Sequence, residues 1–176
     1  MYKIFYTPSD IAYIINKYSL DIVDASELIS NIFKKDHTYI SGKYRFSQKA
    51  FAIDIMDNVN YLNNRELYKD EICAIQKDFE DLGIENHMPD YKDPNYIYLF
   101  FKELRIKLLF LSEKPYTRMK LRTLLASLGY YKPSNIIMKY IREALEFYRI
   151  SATLRGGTVC NINKIDIDEM ITLKPF

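Results

Sequence analysis

The side chains of this sequence with the clearest chemical use are lysines and arginines, and their chemistry is the binding of anions. Residues 91–176 contain fifteen Lys and Arg against eight Asp and Glu, whereas residues 1–90 contain ten against fifteen. The excess is concentrated between Lys102 and Arg155, where twelve basic residues accompany four acidic ones. Such a field attracts a polyanion, and nucleic acid is the commonest one. A basic, solvated face without a partner is the alternative interpretation.

Residues that could bind a metal or a nucleotide phosphate do not occur in the required patterns. His37 and His87 have no companions at metal-ligand spacing. Asp54 and Asp57 lie three residues apart, which is more typical of the wet face of an amphipathic helix than of a metal site. Gly156-Gly157 is not followed by the Lys-Ser/Thr pair of a phosphate-binding loop. We therefore predict neither a metal nor a cofactor.

A nuclease is the enzyme class that comes nearest to the pattern of carboxylates. Pro89-Asp90 is faintly similar to the start of a PD-(D/E)xK motif, but Glu103 and Lys107 are four residues apart, so the required Asp/Glu-x-Lys is missing. The acidic group near the C-terminus is more typical of a solvated turn; its members are Asp166, Asp168 and Glu169. We predict no catalytic residues and a protein that is not an enzyme.

The sequence favours a cytoplasmic protein. Its first residues lead almost at once into a helix start at Thr7 and lack the apolar run of a signal peptide. The most apolar stretch, residues 96–111, is interrupted by four charged residues, so we expect no membrane segment. Cys73 and Cys160 are isolated and are expected to be structural thiols.

The acidic half, residues 1–90, is predicted to be helical. Helices are expected to begin at Thr7 and at Asp24, each with a capping carboxylate or hydroxyl. Residues 38–46 predict a short hairpin or an extended loop, and residues 47–83 predict long helices. The polar segment 85–90 contains a proline and lies where the charge changes sign, so we place the domain boundary there.

The basic half, residues 91–176, predicts three helices followed by a hairpin. The first helix begins at Asp93-Pro94, and its continuation over residues 105–111 is compatible with a helix or a strand. A glycine, Gly129, is expected to end the second helix, and a serine, Ser134, to cap the third. The predicted elements are helices at 94–111, 116–128 and 134–149, strands at 150–154 and 159–162, and a Gly-Gly turn at 155–158.

This order of helices, glycine turn and hairpin over residues 93–176 resembles the winged helix-turn-helix superfamily of DNA-binding domains. The resemblance implies a mostly α (α+β) protein, in which a helical N-terminal half is joined to a C-terminal winged domain with a β-hairpin wing. It also implies that the helix at 134–149 is the recognition helix. Residues 1–46 are open to two interpretations, a second, smaller winged unit or a plain helical platform for dimerisation.

The implied DNA contacts are polar and basic residues around the recognition helix and the wing tip. With Ile137 and Ile141 buried, the opposite face of that helix would expose Met138 beside the polar residues. Glu143 and Glu146 would repel phosphates, so only the N-terminal part of the helix is expected to contact DNA. The residues expected at the interface are Arg118, Lys120, Arg122, Lys132, Ser134, Asn135, Lys139, Arg142 and Arg155.

The leading hypothesis is a non-enzymatic protein that binds double-stranded DNA, a transcriptional regulator or an accessory factor of a bacterial or phage DNA-handling system. The acidic half would bind a protein partner or a second copy of the chain. Two alternatives stay open: a protein-interaction adaptor built on a winged scaffold, whose basic face meets an acidic protein, and a small nuclease.

Overall fold

The computed structural model describes residues 6–63 and 94–176, which fall in two compact units, Met1–His87 and Met88–Phe176. The boundary expected at 85–90, and the part of the predicted helices beyond residue 63, lie outside the described residues. Within the described ranges the protein is mostly helical with one small antiparallel sheet. The α+β prediction is confirmed at that level. None of the helices in those ranges is long and apolar enough to cross a membrane.

The described part of the first unit, residues 6–63, contains three α-helices, which are α1 (Pro8–Lys17), α2 (Ile22–Asp36) and α3 (Gln48–Asn63). As predicted, α1 begins with a capping box, because the Thr7 hydroxyl accepts from the backbone of Asp10 and the Asp10 carboxylate accepts from the backbone of Thr7. The second helix begins earlier than predicted. Asp21 is its N-cap and accepts from two backbone N–H groups, while Asp24 lies inside the first turn.

Residues 38–46 do not form the hairpin that was one of the two predicted forms. A short 3₁₀ turn (His37–Tyr39) is followed by a single parallel bridge between Tyr6 and Ile40 and then by further turns. Tyr44 is buried there, and its ring packs 5.5 Å from that of Phe51 on α3. The first unit therefore has the two expected helices but no strand pair at this position.

Residues 94–176, the described part of the second unit, form three α-helices and three strands. Their bounds are α4 (Pro94–Ile106), a π-helical turn (Lys107–Leu111), β1 (Thr117–Lys120), α5 (Leu121–Ser127), α6 (Asn135–Phe147), β2 (Ile150–Thr153) and β3 (Met170–Pro175). The strand order is β1-β3-β2, antiparallel throughout. The strand alternative for residues 105–111 is wrong, since this segment is helical.

The prediction of a single helix at 116–128 is wrong for its first residues, which form the strand β1. Thr117 pairs with Leu173 and Lys120 with Met170, and the two exposed residues of β1 are Arg118 and Lys120. The strand forms because β3, far along the chain, supplies its hydrogen-bonding partners. The end of the following helix is as predicted.

The predicted hairpin has the expected turn but a different second strand. Gly156 and Gly157 adopt positive φ values of 90° and 85°, which suit glycine. Beyond the turn, Val159 forms a single bridge with Thr153, and the chain then leaves the sheet. The strand that pairs fully with β2 is β3, at residues 170–175, and the predicted strand at 159–162 is therefore wrong.

The core of the second unit lies between the helices and one face of the sheet. Ile171 and Leu173 of β3 and Ile141 of α6 are completely buried. Met138 is also buried, so its predicted place on the exposed face of α6 is wrong, and Ile137 is only half-buried. The result is a two-layer arrangement, with helices against the sheet.

A buried cation fixes the end of α6. The Arg105 side chain is only 3% exposed, and its guanidinium donates to the carbonyl of Tyr148 at 3.0 Å and to that of Arg149 at 3.4 Å. These carbonyls belong to the C-cap residue of α6 and to the residue after it, where a positive charge is favourable. Arg105 therefore contributes to the positive charge of this half of the chain but not to its surface.

Candidate nucleic-acid interface

The start of α6 is held at the surface by the way that the preceding helix ends. Gly129, with φ of 80°, follows the last turn of α5, and the N–H of Tyr130 donates to the carbonyl of Leu125 at 2.8 Å. This is a Schellman motif, and the glycine was correctly predicted to end the helix. After an exposed loop, the Ser134 hydroxyl accepts from the N–H of Ile137 at 3.3 Å and caps α6. The first backbone N–H groups of α6 therefore face solvent.

Four of the nine predicted residues line one groove of about 390 Å³ along the N-terminal half of α6, which we call the α6 groove. They are Ser134, Asn135, Lys139 and Arg142. Their spacing of three or four residues places the last three on one stripe of the helix. Each is exposed, as an interface requires in the free protein.

Asn163 also lines the α6 groove and was missed from the sequence. It lies in the connection between β2 and β3, next to Ile162, which is buried and anchors that connection to the core. The apolar Ile162 between two asparagines is the only local signal, and it does not indicate which helix the loop approaches. Asn163 adds a second amide to the groove beside Asn135.

The two acidic residues of α6, Glu143 and Glu146, occupy different positions relative to the α6 groove. Glu143 accepts a hydrogen bond from the Tyr98 hydroxyl of α4 at 3.4 Å and lies 3.9 Å from the Lys139 ammonium. Burial, and secondly the charge of Glu143, raises the pKa of Tyr98, so the hydroxyl remains a donor at neutral pH. Glu143 thus faces α4. Glu146 instead follows Arg142 by four residues on the exposed stripe.

Arg142 differs from Lys139, which also lines the α6 groove, in its neighbours. Within residues 6–63 and 94–176, no carboxylate forms an ion pair with Arg142. Its guanidinium can therefore bind an incoming phosphate, or the O6 and N7 atoms of a guanine, without first breaking an internal contact.

Two further predicted residues meet in a second concavity of about 590 Å³, which we call the sheet groove. Arg118 of β1 and Arg155 of the Gly-Gly turn both line it, although they are distant in sequence. Between them lie Thr172 and Thr153, which pair with each other, Thr172 also pairing with Arg118. The Arg118 guanidinium lies 5.3 Å from the centre of the Tyr116 ring.

The remaining basic residues are divided between a paired cluster and the loop before α6. The Asp168 carboxylate lies 2.6 Å from the Arg122 guanidinium and 3.6 Å from the Lys120 ammonium. Both cations are therefore neutralised in part by an internal carboxylate that the sequence did not connect with them. Lys132 is exposed in the loop that precedes Ser134.

The chain offers no metal-binding cluster among its described residues and no match to a known protein. Among the residues that the structure describes, no group of three or more His, Cys, Asp or Glu could hold a metal ion. No protein-family model, no curated protein and no solved structure matches this chain.

Proposed function

We propose that the second unit is a winged helix-turn-helix domain that binds double-stranded DNA, with α6 as the recognition helix and the turn at 155–158 as the tip of the wing. The protein would act without catalysis, as a transcriptional regulator or an accessory factor in DNA handling. The first unit, with its excess of acidic residues, would bind a protein partner or a second copy of the chain.

The order of the elements supports the proposal. A strand, β1, precedes the pair α5 and α6, and the strands β2 and β3 that follow are joined by a connection with an exposed glycine turn. This order and the antiparallel sheet are typical of winged helix-turn-helix domains. The connection between α5 and α6, residues 128–134, is longer than the three or four residues of a minimal helix-turn-helix.

The observation that carries the proposal is the composition of the α6 groove. It combines the guanidinium of Arg142, which has no ion-pair partner among the described residues, two amides on Asn135 and Asn163, and the N-terminus of a capped helix. Arginine and asparagine are the side chains that read guanine and adenine in the major groove, and helix N-termini bind phosphate. Because Glu146 lies one turn beyond Arg142, contact would end there.

The test is DNA binding by the full chain at several salt concentrations. Arg142→Ala should weaken binding and reduce the slope of log K against log salt by about 0.9, as expected for one lost phosphate contact. The matched control is Lys114→Ala, which removes one exposed positive charge outside both grooves. The proposal fails if the wild-type chain does not bind DNA at low salt, or if the two variants behave identically.

A protein-interaction adaptor is the second candidate, and exposed apolar residues favour it. Tyr131 is 92% exposed in the loop before α6, and Ile136, next to Asn135 of the α6 groove, is 68% exposed. Aromatic and apolar residues among cations are typical of protein interfaces. Purification of the chain with one stoichiometric acidic protein and without nucleic acid would favour this function over DNA binding.

A further inference from the structure

The connection between β2 and β3, residues 154–169, is tied to the rest of the second unit near both of its ends. Near its start, the N–H of Cys160 donates to the carbonyl of Ala152 at 3.0 Å. Near its end, the N–H of Arg122 donates to the carbonyl of Ile167 at 2.8 Å. Since backbone hydrogen bonds fix both ends, the conformational freedom of the connection is confined to the residues between them.

Asn163 lies in the middle of this connection and is held there by a turn and by a buried neighbour. The carbonyl of Asn161 accepts from the N–H of Lys164 at 2.8 Å, and the Asn161 Oδ1 accepts from the N–H of Asn163 at 3.3 Å. Ile162, only 4% exposed, ties the same turn to the core. The backbone of Asn163 is therefore ordered before any ligand binds, while the residue is exposed and lines the α6 groove.

The α6 groove thus receives hydrogen-bonding side chains from two separate elements. The helix α6 contributes Asn135, Lys139 and Arg142, and the connection contributes Asn163. An asparagine amide can donate from Nδ2 to the N7 atom of an adenine while its Oδ1 accepts from the N6 amino group of the same base. Such a contact costs less ordering free energy when the backbone of the reading residue is already fixed, as it is for Asn163.

We propose that Asn163 reads an adenine of the DNA bound in the α6 groove, so that this chain recognises a specific base sequence from two elements. This inference rests on the proposed function, which requires DNA binding but no base-reading residue outside α6. A single duplex is contacted, with its major groove against the α6 groove. Arg142 of α6 reads a guanine of the target, and Asn163 of the connection reads an adenine.

The test measures the base preference of the full chain. Wild type and Asn163→Ala are each used to select duplexes from a pool with a randomised centre, at about 150 mM salt, where non-specific phosphate contacts are weakened. The wild type is expected to select an adenine at a position where Asn163→Ala accepts all four bases. Replacing that adenine in the selected duplex should weaken wild-type binding about fivefold to 150-fold, and binding by Asn163→Ala less than about twofold, in anisotropy titrations.

Lys164→Ala is the matched control, because Lys164 is the next residue of the same turn, is exposed and does not line the α6 groove. It removes one positive charge, so it should change the affinity for all duplexes to a similar extent and leave the adenine preference unchanged. Asn163→Ala keeps the backbone N–H that bonds Asn161, so its melting temperature should equal that of the wild type. Should it fall, Asn163→Asp replaces this variant, because a carboxylate cannot donate to the adenine N7 and should also lose the preference.

The outcomes separate this inference from the proposed function. Wild-type binding without a base preference, or an adenine preference that survives in Asn163→Ala, overturns the reading role of Asn163 and leaves the proposed function standing. A loss of affinity in Asn163→Ala that is equal for every sequence assigns Asn163 to a phosphate contact and also overturns that role. A wild-type chain that binds no duplex at low salt overturns both.

Discussion

Replacing Asp168 by Asn should strengthen DNA binding, because this carboxylate occupies two cations that could otherwise contact phosphate. Its oxygens lie 2.6 Å from the Arg122 guanidinium and 3.6 Å from the Lys120 ammonium. A phosphate that approaches either cation must compete with Asp168. Asp168→Asn removes the negative charge and leaves the shape of the side chain almost unchanged.

The expected size of the effect follows from the salt dependence of phosphate contacts. If Asp168→Asn allows one new contact, the slope of log K against log salt steepens by about 0.9. Between about 50 and 200 mM salt, the affinity of the variant relative to the wild type should then fall by about threefold to fourfold. The cost to folding should be small, about 0.2–1 kcal/mol, because the ion pairs are half-exposed.

Asp166→Asn is the matched control. It removes the same charge two residues away, and Asp166 forms no ion pair with any residue in the described part of the chain. Its Oδ1 accepts from the N–H of Asp168 at 2.8 Å, a contact that an Asn oxygen can also make. The difference between the two variants therefore measures the release of Arg122 and Lys120, and not the general change in net charge.

The assay is fluorescence anisotropy of a labelled duplex at several salt concentrations, with thermal melting of each variant. Equal slopes for the wild type, Asp168→Asn and Asp166→Asn would refute the competition between Asp168 and phosphate. Weaker binding by Asp168→Asn would show instead that this carboxylate holds Arg122 and Lys120 in the positions that DNA requires.

Three further predictions concern other charged or titratable groups of the second unit. Glu146→Gln should tighten DNA binding in the same anisotropy assay, because Glu146 lies on the exposed stripe of α6 beyond Arg142; unchanged or weaker binding would contradict this. Arg105→Met should lower the free energy of unfolding in urea by at least about 2 kcal/mol, since two carbonyls lose a charged donor; a loss below about 0.5 kcal/mol would contradict it. Burial, and secondly the charge of Glu169, raises the pKa of the Cys160 thiol. At about pH 8.5 the alkylation of Cys160 should therefore be slower than that of free cysteine. Mass spectrometry of the peptide that contains Cys160 gives the rate, and an equal rate would contradict the prediction.

Local signals in the sequence were sufficient to predict several helix ends. Thr7 and Asp10 form the expected capping box, Gly129 ends α5, and Ser134 caps α6. Each depends on contacts within a few residues, so the residue types and their spacing contain the information. The start of α2 was misplaced because Asp21 and Asp24 both fit a cap, and only the backbone decides between them.

The positions of the basic residues depended on contacts that a single sequence does not reveal. Arg118 and Lys120 were predicted on a helix, where residues two apart point in different directions. They lie on β1, where residues two apart share a face, because β3 pairs with this segment. The approach of Arg118 to Arg155 in the sheet groove, and the ion pair of Lys120 with Asp168, both follow from that non-local pairing.

The approach of Asn163 to α6 was not predictable for a similar reason. Its loop follows the Gly-Gly turn. The predicted return strand at 159–162 would have kept this segment in the sheet. Instead Val159 forms one bridge, and the buried Ile162 ties the chain to the core. The charge asymmetry of the sequence indicated a polyanionic partner. In the structure, most of the basic residues predicted to bind it are divided between the α6 groove, the sheet groove and the ion pairs with Asp168.

The central claim, that the basic unit binds duplex DNA, is tested most directly by the salt dependence of binding by the wild-type chain. Four cations line the two grooves, and they are Arg118, Lys139, Arg142 and Arg155. Within the described residues, Lys139 lies 3.9 Å from Glu143, and the other three form no ion pair with a carboxylate. If a duplex contacts all four, log K should fall linearly with log salt at a slope of about −3.6. No binding at about 50 mM salt, or binding that is independent of salt, would contradict the claim.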